Sequence, residues 1–242
     1  MNKHFKFLFF LIIAFLFLGV LYYINNTTSG FLGNSSNPKI YDQLKQKTEQ
    51  LGKTSYNVAS YNAVKSSIIG ASVAKEISTD EKNSLLQILE IEKSNSLIIS
   101  FDEKINSDCL NTSNLTSIIN EMKRQQSVIS LPKIQNKLDI YNNIVNFLNL
   151  QNKINAFVNG AYDQNRAIQL NTQINDLSNK DGVKTCNQKS SYITDWRTKI
   201  STLKNKDDLY KKIVDKPQLK NVLDVCGEFA NYPYYRGQFD CQ

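Results

Sequence analysis

Residues 132–158 read PKIQNKLDIYNNIVNFLNLQNKINAFV, and the spacing of their apolar side chains decides the fold class. Ile134, Leu138, Tyr141, Val145 and Leu148 recur at intervals of three and four, the signature of one helical face. Ile140, Ile144, Phe147, Ile154 and Val158 form a second stripe beside the first. A face that wide belongs to a helix packed against more than one neighbour. Pro132 marks its start, because proline fits the first turn and not the interior. The segment is therefore the central helix of an all-α domain built from helical hairpins.

Outward from it, the same period recurs. A first helix runs over about 40–51 and stops at Gly52, and Tyr61, Val64, Ile68 and Ala71 define a second. Ser78-Thr79-Asp80-Glu81 is a capping box, opening a helix that carries Leu85, Leu86, Ile88 and Leu89. Leu97, Ile98, Phe101 and Ile105 then project about half a turn away from that stripe. Two readings follow: one helix buried on two sides, or a break near Ser94-Asn95-Ser96 with a short strand at 97–101. A loop over 109–114 precedes a helix at 115–129. Beyond the central helix, Gly160 marks a kink or end, Ala167 to Leu177 continues the pattern, and 179–182 is a turn. Ile193, Trp196, Ile200 and Leu203 predict a further helix, followed by separate short ones around 207–214 and 217–226, with Gly227 as a stop. The tail, 228–242, reads as irregular and aromatic.

Residues 7–24, from Phe7 to Ile24, contain no charge and almost no polarity. As a helix they span about 27 Å, close to the hydrocarbon thickness of a bilayer. Lys3 and Lys6 precede them, and Tyr22 and Tyr23 sit at the far end, where an interfacial aromatic belt would lie. The reading is a single-pass anchor with a cytoplasmic N-terminus and a periplasmic or extracellular C-terminal domain. A cleaved signal peptide is the competing reading, but no Ala-x-Ala site follows the run. A lipoprotein anchor fails, since the first cysteine is Cys109. The expected organisation is 1–24 as cytoplasmic flank and anchor, 25–38 as flexible tether, 39–182 as main helical domain, and 183–242 as C-terminal helical segment with a disulfide-closed tail. The lipid bilayer is thus the first expected partner, and a protein of the envelope the second.

Composition excludes several kinds of chemistry. The only histidine is His4, on the flank of the apolar run, so the region beyond it has no imidazole for a triad, a dyad or a zinc site. Nine glycines and no Gly-rich loop leave no phosphate cradle. The net charge of +7 is spread along the chain and never condenses into a basic cluster, so nucleic acid is not an expected partner. Asp80 with Glu81, Glu90 with Glu92, Asp102 with Glu103 and Asp207 with Asp208 are close in sequence, but on helices such residues are ordinarily solvated faces or dipole partners. No catalytic residue, cofactor or metal ligand is assigned. The Asn-x-Ser/Thr matches at Asn25, Asn26, Asn34, Asn111 and Asn114 are no more than chance supplies in so Asn- and Ser-rich a chain.

Cys109, Cys186, Cys226 and Cys241 all lie beyond the apolar run, and an even count in an oxidising space reads as two disulfides. Of three possible pairings, Cys109–Cys186 and Cys226–Cys241 join an interhelix loop to a turn and bracket the tail. Inside the second loop lie Phe229, Tyr232, Tyr234, Tyr235 and Phe239. They read either as an adhesive patch for a partner or as a tail folded over the helical core, with packing the preferred reading. The expected function is a structural or protein-interaction component of a cell envelope. An envelope hydrolase using carboxylate or Ser-Lys chemistry and a viral membrane or entry protein are the alternatives.

Overall fold

In a computed structural model of the protein, the structure describes residues 37–239 and 241. The apolar run at 7–24 and most of the tether lie outside them. Among the described residues, no helix is long and apolar enough to cross a membrane, and no strand is present.

Local sequence signals place the helix ends. Helix α1 (Pro38–Leu51) begins with proline in its first turn, and the Asn37 side chain accepts from the Lys39 amide. Helix α2 (Val58–Val73) starts where the Asn57 side chain accepts from the amides of Ala59 and Ser60. Helix α3 (Thr79–Ser107) opens with the complete Ser78/Glu81 capping box. A 3₁₀ turn (Thr112–Leu115) leads into α4 (Thr116–Val128), and α5 (Pro132–Val158) is the central helix. Asp163 caps α6 (Gln164–Ser178) through the Arg166 amide. Helix α7 (Lys189–Asp215) is followed by a 3₁₀ turn (Pro217–Asn221) and two short helices, α8 (Val225–Glu228) and α9 (Pro233–Gly237).

Three apolar cores follow one another, and two long helices bridge them. The first joins Leu44 of α1, Tyr61 and Ile68 of α2, and Leu85 and Leu89 of α3. The second takes Leu97 and Phe101 from further along α3, Ile118, Ile119 and Met122 from α4, and Ile134 and Leu138 from α5. The third unites Ile144, Phe147, Ile154 and Phe157 of α5 with α6, α7 and the C-terminal segment, so it draws on both sides of residue 183. This succession accounts for the double stripes. Helix α3 turns one face to the first core and another to the second; α5 does the same with the second and third.

Two readings left open are decided and two expectations are corrected. Helix α3 runs unbroken through Ser94-Asn95-Ser96, and 97–101 is helical rather than a strand. The serines are compatible with a buried helix because each hydroxyl is satisfied. Ser94 donates to the Glu90 carbonyl, Ser96 to the Leu51 carbonyl, and Ser100 accepts from the Tyr56 amide at 2.6 Å. Helix α7 also continues through 204–208, where a break was expected. Asp207 keeps the inward face occupied, being 7 % exposed and fully partnered. Finally, the tail is not wholly irregular: Pro233 starts α9, and Gly227 sits inside α8 instead of stopping a helix. A Cβ at Gly227 would lie 2.2 Å from Asp224 Oδ2, so that carboxylate, which accepts from the Gly227 N–H, would have to move to admit a side chain. Of the two readings of Gly160, the structure takes the end: α5 stops at Val158 with Asn159 as its cap, and Gly160 follows.

Candidate functional site

The densest polar constellation lies between α2, α3 and α4. Lys93, on α3, is 5 % exposed and places its ammonium 2.5 Å from Glu121 Oε1 on α4. Arg124, one turn further along α4, pairs with the same carboxylate oxygen at 2.7 Å. The Lys93 ammonium also stands 4.9 Å from the Tyr61 ring centroid and 5.8 Å from that of Tyr56, within reach of cation–π attraction. Glu90, one turn before Lys93, accepts from the Tyr61 hydroxyl, and Gln125 Nε2 donates both to its side chain at 2.9 Å and to its carbonyl at 3.0 Å. One wall of a groove of about 590 Å³ passes over this network. Ser55 and Tyr56 line it from the α1–α2 connection, Val58 from the start of α2, Glu103 and Lys104 from α3, and Ile118, Glu121 and Arg124 from α4.

Electrostatics follow from this burial. Burial pushes the Glu121 carboxyl up, but the hydrogen bonds from Lys93 and Arg124 outweigh it and hold the group below the usual carboxylate range. Burial also raises the Tyr61 phenol, reinforced by its bond to Glu90. The Tyr56 phenol is raised by burial and by the nearby charge of Glu121. These groups are committed to one another. Lys93, ion-paired to Glu121, is not arranged as the neutral base of a Ser-Lys dyad, and Ser94 and Ser96 of the same turn donate to backbone carbonyls.

The other carboxylates singled out by sequence are dispersed. Glu81 caps α3, Glu92 accepts from Asn95 at 2.9 Å, and Asp102 pairs with Lys137 at 2.5 Å. Glu103 accepts from Ser55 at 2.5 Å. Asp207 is buried in the C-terminal half, bonded to Tyr235 and to Lys211 at 2.6 Å. Among the described residues, no group of three or more His, Cys, Asp and Glu side chains is placed to hold a metal ion.

The four cysteines form Cys109–Cys186 and Cys226–Cys241. The first joins the loop after α3 to the turn before α7; the second closes the tail. Of the five tail aromatics, Phe229 and Tyr235 are fully buried in the third core, Tyr232 and Phe239 are half-buried against it, and Tyr234 alone is exposed. Phe229 stacks on Phe239 at 5.4 Å and packs on Tyr235 at 5.7 Å. The cluster therefore faces inward, and little of it is available to a partner.

Sequence reading overlooked Lys93 and Glu121 and took Asp207 for a solvated carboxylate; all three are ionisable residues on helices that look solvated in a one-dimensional pattern, yet Lys93 and Asp207 are buried. One signal was available for Lys93: it lies four residues after Leu89 and four before Leu97, on the stripe that faces the core. No family model matches the chain, and neither a curated protein nor a solved structure matches it.

Proposed function

We propose that the chain is an exported helical domain, tethered to a membrane through residues 7–24, that serves as a structural or protein-interaction component of an envelope. The observation that carries this reading is the closure of two disulfides in a chain with no free cysteine among its described residues. Such bonds persist in oxidising compartments and are rare in reducing ones. The uncharged run of 7–24, preceded by lysines, supplies both a route to that compartment and a means of staying at its boundary. An interaction role, rather than catalysis, is supported by the way the buried polar groups satisfy one another. Lys93, Glu90, Glu121 and Asp207 spend their hydrogen-bonding capacity on fixing helices.

Fractionation of cells expressing the chain tests the reading. Expected is a full-length 27.6 kDa species in the membrane fraction, digested by protease added from the exported side and faster-migrating without reductant. Mild detergent extraction then recovers a stoichiometric protein partner. A soluble species with four free thiols overturns the proposal.

A further inference from the structure

Helix α2 turns Tyr61, Ile68 and Ala71 into the first core. On its opposite side Ala59, Asn62, Ser66, Ile69, Gly70 and Val73 are all exposed. Val73 is 80 % exposed and Ile69 44 %, and Val58 at the helix start is 59 % exposed, so three large apolar groups of one helix are left in water. The one charged residue of α2 is Lys65, at the flank, its ammonium 5.8 Å from the Tyr61 ring centroid. The outer face is therefore uncharged along the whole helix and carries small, apolar and neutral polar side chains, on a chain whose net charge is +7.

The place where the chain enters the fold says what covers this face. The Asn37 amide donates to the Glu76 carbonyl at 3.1 Å, which fixes the incoming segment to the turn just past the C-terminal end of α2, three residues beyond Val73. If residues 7–24 span a membrane, as proposed above, only twelve residues separate them from Asn37, a length whose end-to-end distance as a coil would be roughly 20 Å. The C-terminal end of α2 is then held near the bilayer in every copy. Two copies on one membrane surface are related by a two-fold axis along its normal, so their α2 faces stand at the same height, and the two helices run in parallel where α2 stands along that normal. Ala59, Ser66 and Val73 are seven residues apart, as are Asn62 and Ile69. That is the repeat of a parallel two-stranded coil, and its small side chains allow close approach of the axes.

We infer that α2 pairs with α2 of a second copy of this chain, through the face bearing Ala59, Asn62, Ser66, Ile69, Gly70 and Val73. Elsewhere two copies meet with like net charge; here no charge is buried and the patch is self-complementary. Confinement to one membrane raises the effective concentration of the pair. The pairing rests on the tether reading for its geometry, and the two are separable by experiment.

The full chain, reconstituted at low density in phosphatidylcholine vesicles, is assayed by flotation and by single-molecule photobleaching. Expected is a two-step population that Ser66→Glu with Gly70→Glu reduces at least tenfold, while Ser201→Glu on the exposed side of α7 leaves it unchanged. Both sites on α2 are exposed, and an unchanged melting temperature shows that the variant is folded. One-step bleaching of the native chain, or dimers indifferent to the α2 charges, overturns the pairing whether or not the chain floats. Flotation that the α2 charges abolish, without dimers, also overturns it and assigns the face to lipid. Charge-sensitive dimers of a chain that does not float support the pairing and overturn the tether.

Discussion

The hydroxyl of Tyr235, on the short helix α9, donates to the carboxylate of Asp207 in the middle of α7 at 3.0 Å. The same oxygen accepts from the Tyr162 amide, at the α5–α6 connection, at 2.9 Å. One phenol thus ties the tail to both long helices of the third core. Burial and the bond to Asp207 raise its pKa despite the opposing pull of the Tyr162 amide, so it remains a neutral donor at physiological pH.

Tyr235→Phe keeps the buried ring but leaves Asp207 with Lys211 alone and strands the Tyr162 amide. The expected loss is about 1–3 kcal/mol, a fall in Tm of several degrees. Tyr234→Ala, at an exposed position, is expected to change stability by less than about 0.5 kcal/mol. Thermal unfolding of the two variants checks the contrast; equal losses would contradict the inward packing of the tail.

The two disulfides close loops of very different length. Cys226–Cys241 has a sequence separation of 15 and Cys109–Cys186 one of 77. Chain entropy then gives about 3 kcal/mol for the first and about 4.5 kcal/mol for the second. Paired alanine substitutions, each leaving the other bridge intact, are expected to lower the denaturant midpoint in that order. A larger loss at Cys226–Cys241 would mean that tail docking, not loop closure, dominates.

The Lys93–Glu121 pair predicts an asymmetry between its partners. Glu121→Gln leaves the buried Lys93 ammonium without its carboxylate and is expected to cost about 3 kcal/mol near neutral pH. Lys93→Met removes the buried charge and leaves Glu121 with Arg124, so its cost is expected to be smaller. The sign of the pH dependence follows from the lowered Glu121 pKa. Its contribution is fully present above the unfolded carboxylate value and is lost as pH falls through the folded one. The gap between the native chain and Glu121→Gln therefore narrows as pH falls below the unfolded carboxylate value and closes only below the lower, folded one. Urea titrations across pH 3–7 read this directly, and a gap that stays constant with pH would remove the ion pair from the account.

Gly182 adopts φ +82°, and a Cβ there would lie 2.5 Å from Ile140 Cγ2 on the central helix. Gly182→Ala meets both backbone strain and a clash, with an expected loss above about 1 kcal/mol. Gly70→Ala, with open space around it, is expected to be neutral or stabilising. The same unfolding measurement separates the two.

Helix identity was legible where a local rule applied. Pro132 and the stripes after it, the Ser78/Glu81 box and the period through Tyr61, Ile68 and Ala71 act within one or two turns, so the order of residues alone determines them. The all-α class and its main turns follow from these. The cysteine count pointed to disulfides for a comparable reason: oxidation chemistry needs no knowledge of the fold.

Continuity and pairing were decided elsewhere. Whether α3 breaks at Ser94-Asn95-Ser96 depends on the Leu51 carbonyl at the end of α1 and the Tyr56 amide of the α1–α2 connection, more than forty residues away in sequence, meeting the hydroxyls of Ser96 and Ser100. Whether α7 continues past Leu203 depends on Tyr235 reaching Asp207. Lys93 and Glu121 read as solvated charges until two helices bring them to 2.5 Å. Sequence by itself determined each helix's apolar face, because the helical period is a local property of the backbone. Only the tertiary structure decided which polar residues are interior, because burying a charge or a hydroxyl is tolerable solely where a distant partner satisfies it.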